Sequence, residues 1–294
     1  MNCSELFEKF IEYKRLFVCD RTLEKYWPIV KSLEEVYGLT PANQLTKADV
    51  PKFISHIQSE GKAPETLKRK LFLLKACWDW AIECELVGKN PWKNLPKLVR
   101  ENPVEMPKPF TSEEIQKIID GFESFPNYKQ LVPFVKFLFL TGCRTGEAIG
   151  LRWGDVTPDC RVAKIQTQLA RGERKRTKTG KSRTLFLTPQ LQNLLLGMRP
   201  ENPNPDALIF LWNSNPVDAM NFRARPWKKV LEKAGVDYRK PYCTRHTFIS
   251  HCLEKGINPV DVAAMCGNST RVIYAHYAGV IHPPQIPEIC QLSS

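Results

Sequence analysis

No two cysteines stand at Cys-x-x-Cys spacing anywhere in the chain, although there are ten among its 294 residues. Zinc-ribbon and redox-disulfide frameworks are built on that spacing, and a chain this long needs no disulfide staples. Histidine is scarce, with five residues, and none completes a metal-binding set with a cysteine pair. The sequence therefore predicts reduced, mostly buried thiols and no structural metal. Apolar runs approaching the roughly 18 residues of a membrane span are also missing. The opening stretch MNCSELFEKFIEYKR has no apolar core behind a basic start, so no secretory signal is expected and the location is cytoplasmic. There is no internal repeat, no low-complexity segment and no acidic cluster suited to divalent ions, and no cofactor is expected.

Negative charge is the other deficit. Lys and Arg number 43 against 31 Asp and Glu, a net of +12. Such an excess favours a polyanionic partner, because neutralising phosphates releases condensed counterions. The imbalance is uneven: residues 1–105 hold 17 basic and 15 acidic side chains, leaving 26 against 16 in the remainder. It peaks over 161–183, where nine Lys/Arg face Glu173 alone. Alternating apolar stretches at 162–170 and 184–187 flank this run, which reads as a solvated loop or a basic hairpin.

Residues 4–89 read as helices throughout. Leu6, Phe7, Phe10 and Ile11 recur at helical spacing, 22–37 forms a second amphipathic segment, and Thr46 with Asp49 resembles a capping box opening a third helix. Pro64 opens a fourth, running to about residue 86, with Leu67, Leu71, Leu74, Trp78 and Ala81 as its stripe. Lys68 and Arg69 lie off that stripe, on a face that is either solubilising or suited to a phosphate backbone. Five prolines over 90–109 place a stiff linker there. A second domain, 110–294, opens with a Thr111–Glu114 capping box and a Phe110–Ile115 staple. Helical patterns follow at 132–140, 189–198, 219–234, 245–255 and 260–265, around strands at 162–170 and 184–187. The expected fold is mainly α: an all-helical N-terminal domain (1–89), then a mixed α/β domain, mostly α with a small antiparallel sheet.

Four segments carry chemistry: TGCRTGEAIGLRWGDV (141–156), TKTGKSRTLFLT (177–188), PYCTRHTF (241–248) and CGNSTRVIYAHYAG (266–279). In the first, Arg144 stands at a helix start, where free N–H groups and a forked guanidinium together suit an oxyanion. Taken alone, an Arg144–Glu147 pair holding a turn reads as well.

In this order and at these separations the four segments resemble the tyrosine recombinase (phage integrase) family, over nearly the whole chain. The resemblance implies a helical core-binding domain ending in WDWAIECELVGKNPW and a catalytic domain over 110–280. It implies an enzyme that cuts double-stranded DNA through a 3′-phosphotyrosine link and rejoins it without cofactor. It implies a homo-oligomer with four protomers at the synapse, and accessory DNA-bending proteins among the candidate partners. Residue by residue, Arg144 and Arg245 match the arginine clamp and Glu147 its supporting carboxylate. Lys178 matches the lysine that protonates the leaving 5′ oxygen, with Lys181 and Lys175 as alternatives. Tyr277 matches the nucleophile, nine residues after Asn268; Tyr274, at six, is the competing choice.

Two positions depart from the family. Tyr242 stands where a histidine is expected three residues before Arg245, and Asn268 where the turn before the nucleophile carries another. A phenol, with a reference pKa of about 10, is a poor base, so Tyr242 is expected to hydrogen-bond the phosphate or its neighbours. Asn268 keeps a donor but cannot shuttle protons. His246 is expected to pack structurally. Lys68, Arg69, Arg174, Lys175, Arg176, Lys181 and Arg183 are the expected DNA contacts. Two other readings stay open: a DNA-binding relative with impaired catalysis, and a type IB topoisomerase-like enzyme acting alone. The tail, with Ile281, Ile286 and Ile289, is expected to pack on a neighbour or back on its own domain. The short stretch before residue 4 leaves no room for a separate arm-binding domain, so any such module is expected to be absent or trimmed away.

Overall fold

The computed structural model describes residues 1–97, 99, 108–170, 172–176, 180, 182–277 and 279, with Pro96 and Arg176 described in backbone only. Lys178, Lys181, the Arg176 guanidinium, Pro103, Pro107 and the tail isoleucines lie outside the described residues. The chain divides into two compact units, Met1–Glu105 and Met106–Ser294.

The first unit is helical: α1 (Cys3–Arg15), α2 (Asp20–Leu23), α3 (Trp27–Tyr37), α4 (Val50–Ser59) and α5 (Pro64–Glu83). α1 packs on α3 and α5, and α4 on α3. The stripe of α5, Leu67, Leu71, Leu74, Trp78 and Ala81, is buried, as a spacing of three and four residues dictates. Where one helix was expected over 22–37 there are two, because Pro28 cannot donate the N–H that would continue the ladder; it sits instead in the first turn of α3. The expected capping box at Thr46 is also a different device. α4 starts only at Val50, and Asp49 Oδ2 accepts from the Thr46 N–H (3.1 Å) and hydroxyl (2.7 Å), closing the turn that precedes the helix. Trp92 is fully buried against Phe53 and Trp78. The proline-rich stretch therefore begins inside the first core and not as a spacer from residue 90.

The second unit opens with α6 (Ser112–Ser124), α7 (Val132–Thr141) and α8 (Thr145–Ile149). Strands β1 (Val162–Ile165), β2 (Thr167–Ala170), β3 (Glu173–Arg176) and β4 (Arg183–Phe186) follow, then α9 (Pro189–Leu196) and the two-residue strands β5 (Leu211–Trp212) and β6 (Asn215–Pro216). The remainder is α10 (Ala219–Phe222), α11 (Lys228–Lys233), α12 (Cys243–Glu254), α13 (Pro259–Cys266) and α14 (Thr270–Tyr277). The α6 capping box is reciprocal: the Glu114 N–H donates to Thr111 Oγ1 (3.1 Å) and the Thr111 N–H to Glu114 Oε2 (2.9 Å). α7 is apolar on nearly every side and mostly buried, the mark of a central helix, and α6, α8, α9 and α12 pack around it. β1 pairs antiparallel with β4, and β2 with β3, so the basic segment forms a hairpin arm as far as Arg176. The single helix expected over 219–234 is interrupted by Pro226, which a π-type turn over Arg223–Trp227 absorbs. Among the described residues no helix is long and apolar enough to cross a membrane.

Candidate active site

α7 ends at Gly142, whose backbone is left-handed (φ 60°). A Cβ there would come within 2.5 Å of Phe248 Cδ1, so only glycine makes this turn without displacing the ring. The Gly142 carbonyl accepts a hydrogen bond from Arg245 Nη1 at 2.8 Å. Two residues on, Arg144 is extended just ahead of α8. Its backbone N–H donates to Glu147 Oε2 (3.0 Å) and its Nη1 to Glu147 Oε1 (2.8 Å). Its Nη2 donates to the Gly267 carbonyl (3.1 Å) and to Asn268 Oδ1 (3.4 Å). The start of α8 is thereby tied to the turn that follows α13.

The Glu147 side chain is wholly buried and holds a second guanidinium. Arg183 Nη2 donates to Glu147 Oε2 at 2.7 Å, and Arg183 Nε donates to the Met265 carbonyl at 2.7 Å. Burial pushes the Glu147 carboxyl upward, but hydrogen bonds and charge from Arg183, then hydrogen bonds from Arg144, outweigh it and hold the group below the ordinary carboxylate range. Arg183, expected as a DNA contact, is instead an internal brace, its side chain 9% exposed at the start of β4. The cause is the buried carboxylate, which needs a cation on each oxygen.

Arg245 lies in the first turn of α12, 1% exposed. Its Nη1 is satisfied by Gly142, while Nε and Nη2 are buried with no partner among the described residues. A buried donor left unpaired costs roughly 1–3 kcal/mol, and more when charged. An oxyanion is the group that two parallel guanidinium N–H donors fit.

Tyr277 closes α14 at 6% exposure, within a small apolar cluster that includes Ile249, Leu253, Val262 and Ile273. Its hydroxyl shares a short hydrogen bond with His246 Nδ1. Burial, then the neighbouring Tyr242, raise the Tyr277 phenol well above its ordinary pKa, and Arg245 offsets this only in part. The His246 imidazole moves the other way, lowered from its usual value by burial, then by Arg245 and His276. Tyr242, the residue before α12, is exposed and sets its ring edge-on to His246, with centroids 5.1 Å apart. Tyr274 is half exposed on the same helix as Tyr277 and outside the apolar cluster.

Of the residues singled out in the sequence, Arg144, Glu147 and Asn268 form one hydrogen-bonded group, and Arg245 is bonded to the Gly142 carbonyl, two residues before Arg144 in the chain. Tyr242 and Tyr277 meet around His246. Lys68 is half-buried and Arg69 exposed, both on α5 in the first unit. Arg174 pairs with Asp155 at 3.3 Å and Lys175 with Glu173 at 2.5 Å along β3. Metal-type side chains gather at Glu35, His56 and Glu60 in the first unit, where His56 Nε2 is 3.1 Å from Glu35 and the Lys70 ammonium is 3.9 Å from Glu60.

His246 and Arg183 are the site residues whose placement sequence reasoning missed. Their partners are 31 and 36 residues away, so no local spacing signals them. The one clue for His246 is its place beside Arg245, about 100° further round the same helix.

Comparison with known proteins finds relatives of the chain and of its fold. The model of the phage integrase family matches residues 108–280. The tyrosine recombinase XerC-like protein of Caldanaerobacter subterraneus subsp. tengcongensis is 24% identical over 278 residues, covering 82% of this chain and 70% of its own. The structure of the Tn1549 transposon integrase in complex with a circular intermediate DNA is similar at TM-score 0.81 and 20% identity, over 94% of this chain and 95% of that one. A lambda integrase tetramer bound to a Holliday junction gives TM-score 0.70 and 16% identity, over 90% and 76%.

Proposed function

The chain belongs to the phage integrase family, and from that premise we propose that it is a site-specific DNA recombinase that cuts and rejoins strands through a phosphotyrosine at Tyr277. The observation that carries this reading is the Arg245 guanidinium, buried with two nitrogens that have no partner among the described residues, next in the chain to His246, which is hydrogen-bonded to the buried Tyr277 hydroxyl.

The chemistry follows from the charges. A phosphodiester repels nucleophiles, and its transition state concentrates negative charge on the non-bridging oxygens. Arg144 and Arg245, both fixed before substrate arrives, stabilise that charge without reorganising. The Asn268 amide nitrogen adds a donor, since its oxygen is already turned to Arg144. Tyr277 Oη attacks phosphorus, the P–O5′ bond breaks, and the product is a 3′-phosphotyrosine with a free 5′ hydroxyl. Lys178 supplies the proton for the departing oxygen; a lysine starts near pKa 10.4, so neighbouring arginines must lower it. Tyr242, exposed beside the site, hydrogen-bonds the phosphate or its neighbours. The ester retains the energy of the broken bond, so rejoining needs no ATP.

The helical domain 1–89 acts as the core-binding module and 110–294 as the catalytic domain. Lys68 and Arg69 on α5, with Arg174, Lys175 and Arg176 of β3 and with Lys181, meet the DNA backbone. The partner is double-stranded DNA in the cytoplasm, and the working form is a homotetramer, as in the lambda integrase neighbour on its Holliday junction. The test is adduct mapping. Arg144→Ala and Arg245→Ala each abolish the covalent protein–DNA complex, Tyr242→Phe retains part of it, and the attached nucleotide maps to Tyr277. Near-normal adduct from either arginine variant, or a nucleotide on Tyr274, contradicts the assignment.

A further inference from the structure

We infer that His246 is a further catalytic residue: it takes the proton from the Tyr277 hydroxyl as the phosphotyrosine forms and returns it when the strand is rejoined. The inference rests on the reading of Tyr277 as the nucleophile. It is carried by the hydrogen bond between His246 Nδ1 and Tyr277 Oη.

A buried phenol is a weak nucleophile. Lifting the Tyr277 pKa keeps the proton in place at rest, so attack requires a base already in contact with the hydroxyl. Among the described residues, the side chain hydrogen-bonded to that oxygen is His246. Tyr242 touches the imidazole edge-on rather than the Tyr277 oxygen, and the Asn268 amide has no basic nitrogen. Burial and the positive charge of Arg245 hold His246 neutral, which leaves a ring nitrogen free to accept. The pair is held from both sides: His246 by α12, on which the adjacent Arg245 is pinned to Gly142, and Tyr277 by the apolar cluster around α14.

The step balances. Tyr277 Oη forms a bond to phosphorus and gives its proton to His246 Nδ1, leaving an imidazolium. The P–O5′ bond breaks, and the 5′ oxygen takes a proton from the general acid proposed above. In rejoining, each transfer runs backwards. The groups facing His246 are Arg245 and Tyr242 from its own helix and that helix's start, and Tyr277 and His276 from α14.

The test uses the full chain and a library of singly nicked duplexes of random sequence, in which the freed 5′ fragment diffuses away and adduct accumulates. His246→Gln keeps a hydrogen-bonding side chain but cannot take a proton, and it lowers the rate of adduct formation by about 100-fold. Replacing Tyr277 by a fluorinated tyrosine of lower phenol pKa restores most of that loss in His246→Gln, which a packing defect would not allow. In the unsubstituted protein the rate falls as pH drops through a value below 6.5, because the imidazolium cannot accept; His276→Gln keeps this limb. A His246→Gln rate near that of the unsubstituted protein, a loss untouched by the fluorinated tyrosine, or a flat acid limb overturns the inference and leaves the nucleophile intact. No adduct from the unsubstituted protein overturns both.

Discussion

Glu147 stands between two guanidinium groups, with Arg144 on one oxygen and Arg183 on the other. Breaking a buried pair by removing one partner costs about 3–5 kcal/mol, because the remaining charge is left uncompensated. Glu147→Gln is therefore expected to lower unfolding stability by that order at neutral pH, and to cost adduct formation as well, since Arg144 loses its anchor. The pH dependence has a definite sign. The folded carboxyl lies below the ordinary glutamate value of about 4.5, so its contribution is present above about that pH and lost as pH falls through the folded value. Denaturant titrations should show the gap between the native protein and Glu147→Gln narrowing below pH 4.5. A gap that stays constant down to pH 3 contradicts the ion-pair account.

At the scale of elements, the site is a set of helix ends. α7 delivers Gly142, α8 opens behind Arg144, and α13 ends at Gly267, a second left-handed glycine. Gly142→Ala forces both an unfavourable backbone and a 2.5 Å approach to Phe248, and is expected to destabilise by more than about 1 kcal/mol. A thermal melt compared with Gly197→Ala, at a glycine without positive φ and with no such side-chain contact, checks it; equal effects would falsify the argument. Gly150 has another purpose, as a Cβ there would meet the Leu169 backbone nitrogen at 2.8 Å, so it lets β2 cross close to α8. The same scale shows what the sequence could and could not disclose. Helix faces such as the α5 stripe were legible because burial follows spacing. The Thr111 capping box was legible because both its partners lie within four residues. The breaks at Pro28 and Pro226 were in plain view but were overridden by apolar periodicity on either side. α14 carried no long stripe to announce it, only the Ser269 cap, whose Oγ accepts from the Val272 N–H at 3.4 Å. Arg144, Arg245 and Tyr277 stood out by motif, whereas the roles of Arg183 and His246 depend on contacts between residues far apart in the chain.

For the molecule as a whole, most of the net charge of +12 falls after residue 105, where 26 basic side chains stand against 16 acidic, in the part of the chain that holds Arg144 and Arg245. Binding to a phosphate backbone then loses affinity as salt rises, through reduced gain from counterion release. If six phosphates are contacted, moving from 50 to 200 mM salt is expected to weaken DNA binding on the order of 10³-fold, measurable by fluorescence anisotropy on a labelled duplex; salt-independent binding would contradict it. The central claim is narrower: one buried hydroxyl becomes covalently joined to DNA. Its most direct test recovers DNA that stays attached to the purified protein through detergent denaturation, compares Tyr277→Phe, and sequences the attached fragments. The account predicts adducts at a shared target sequence that vanish in Tyr277→Phe; adducts that persist in that variant, or none from the unsubstituted protein, would contradict it.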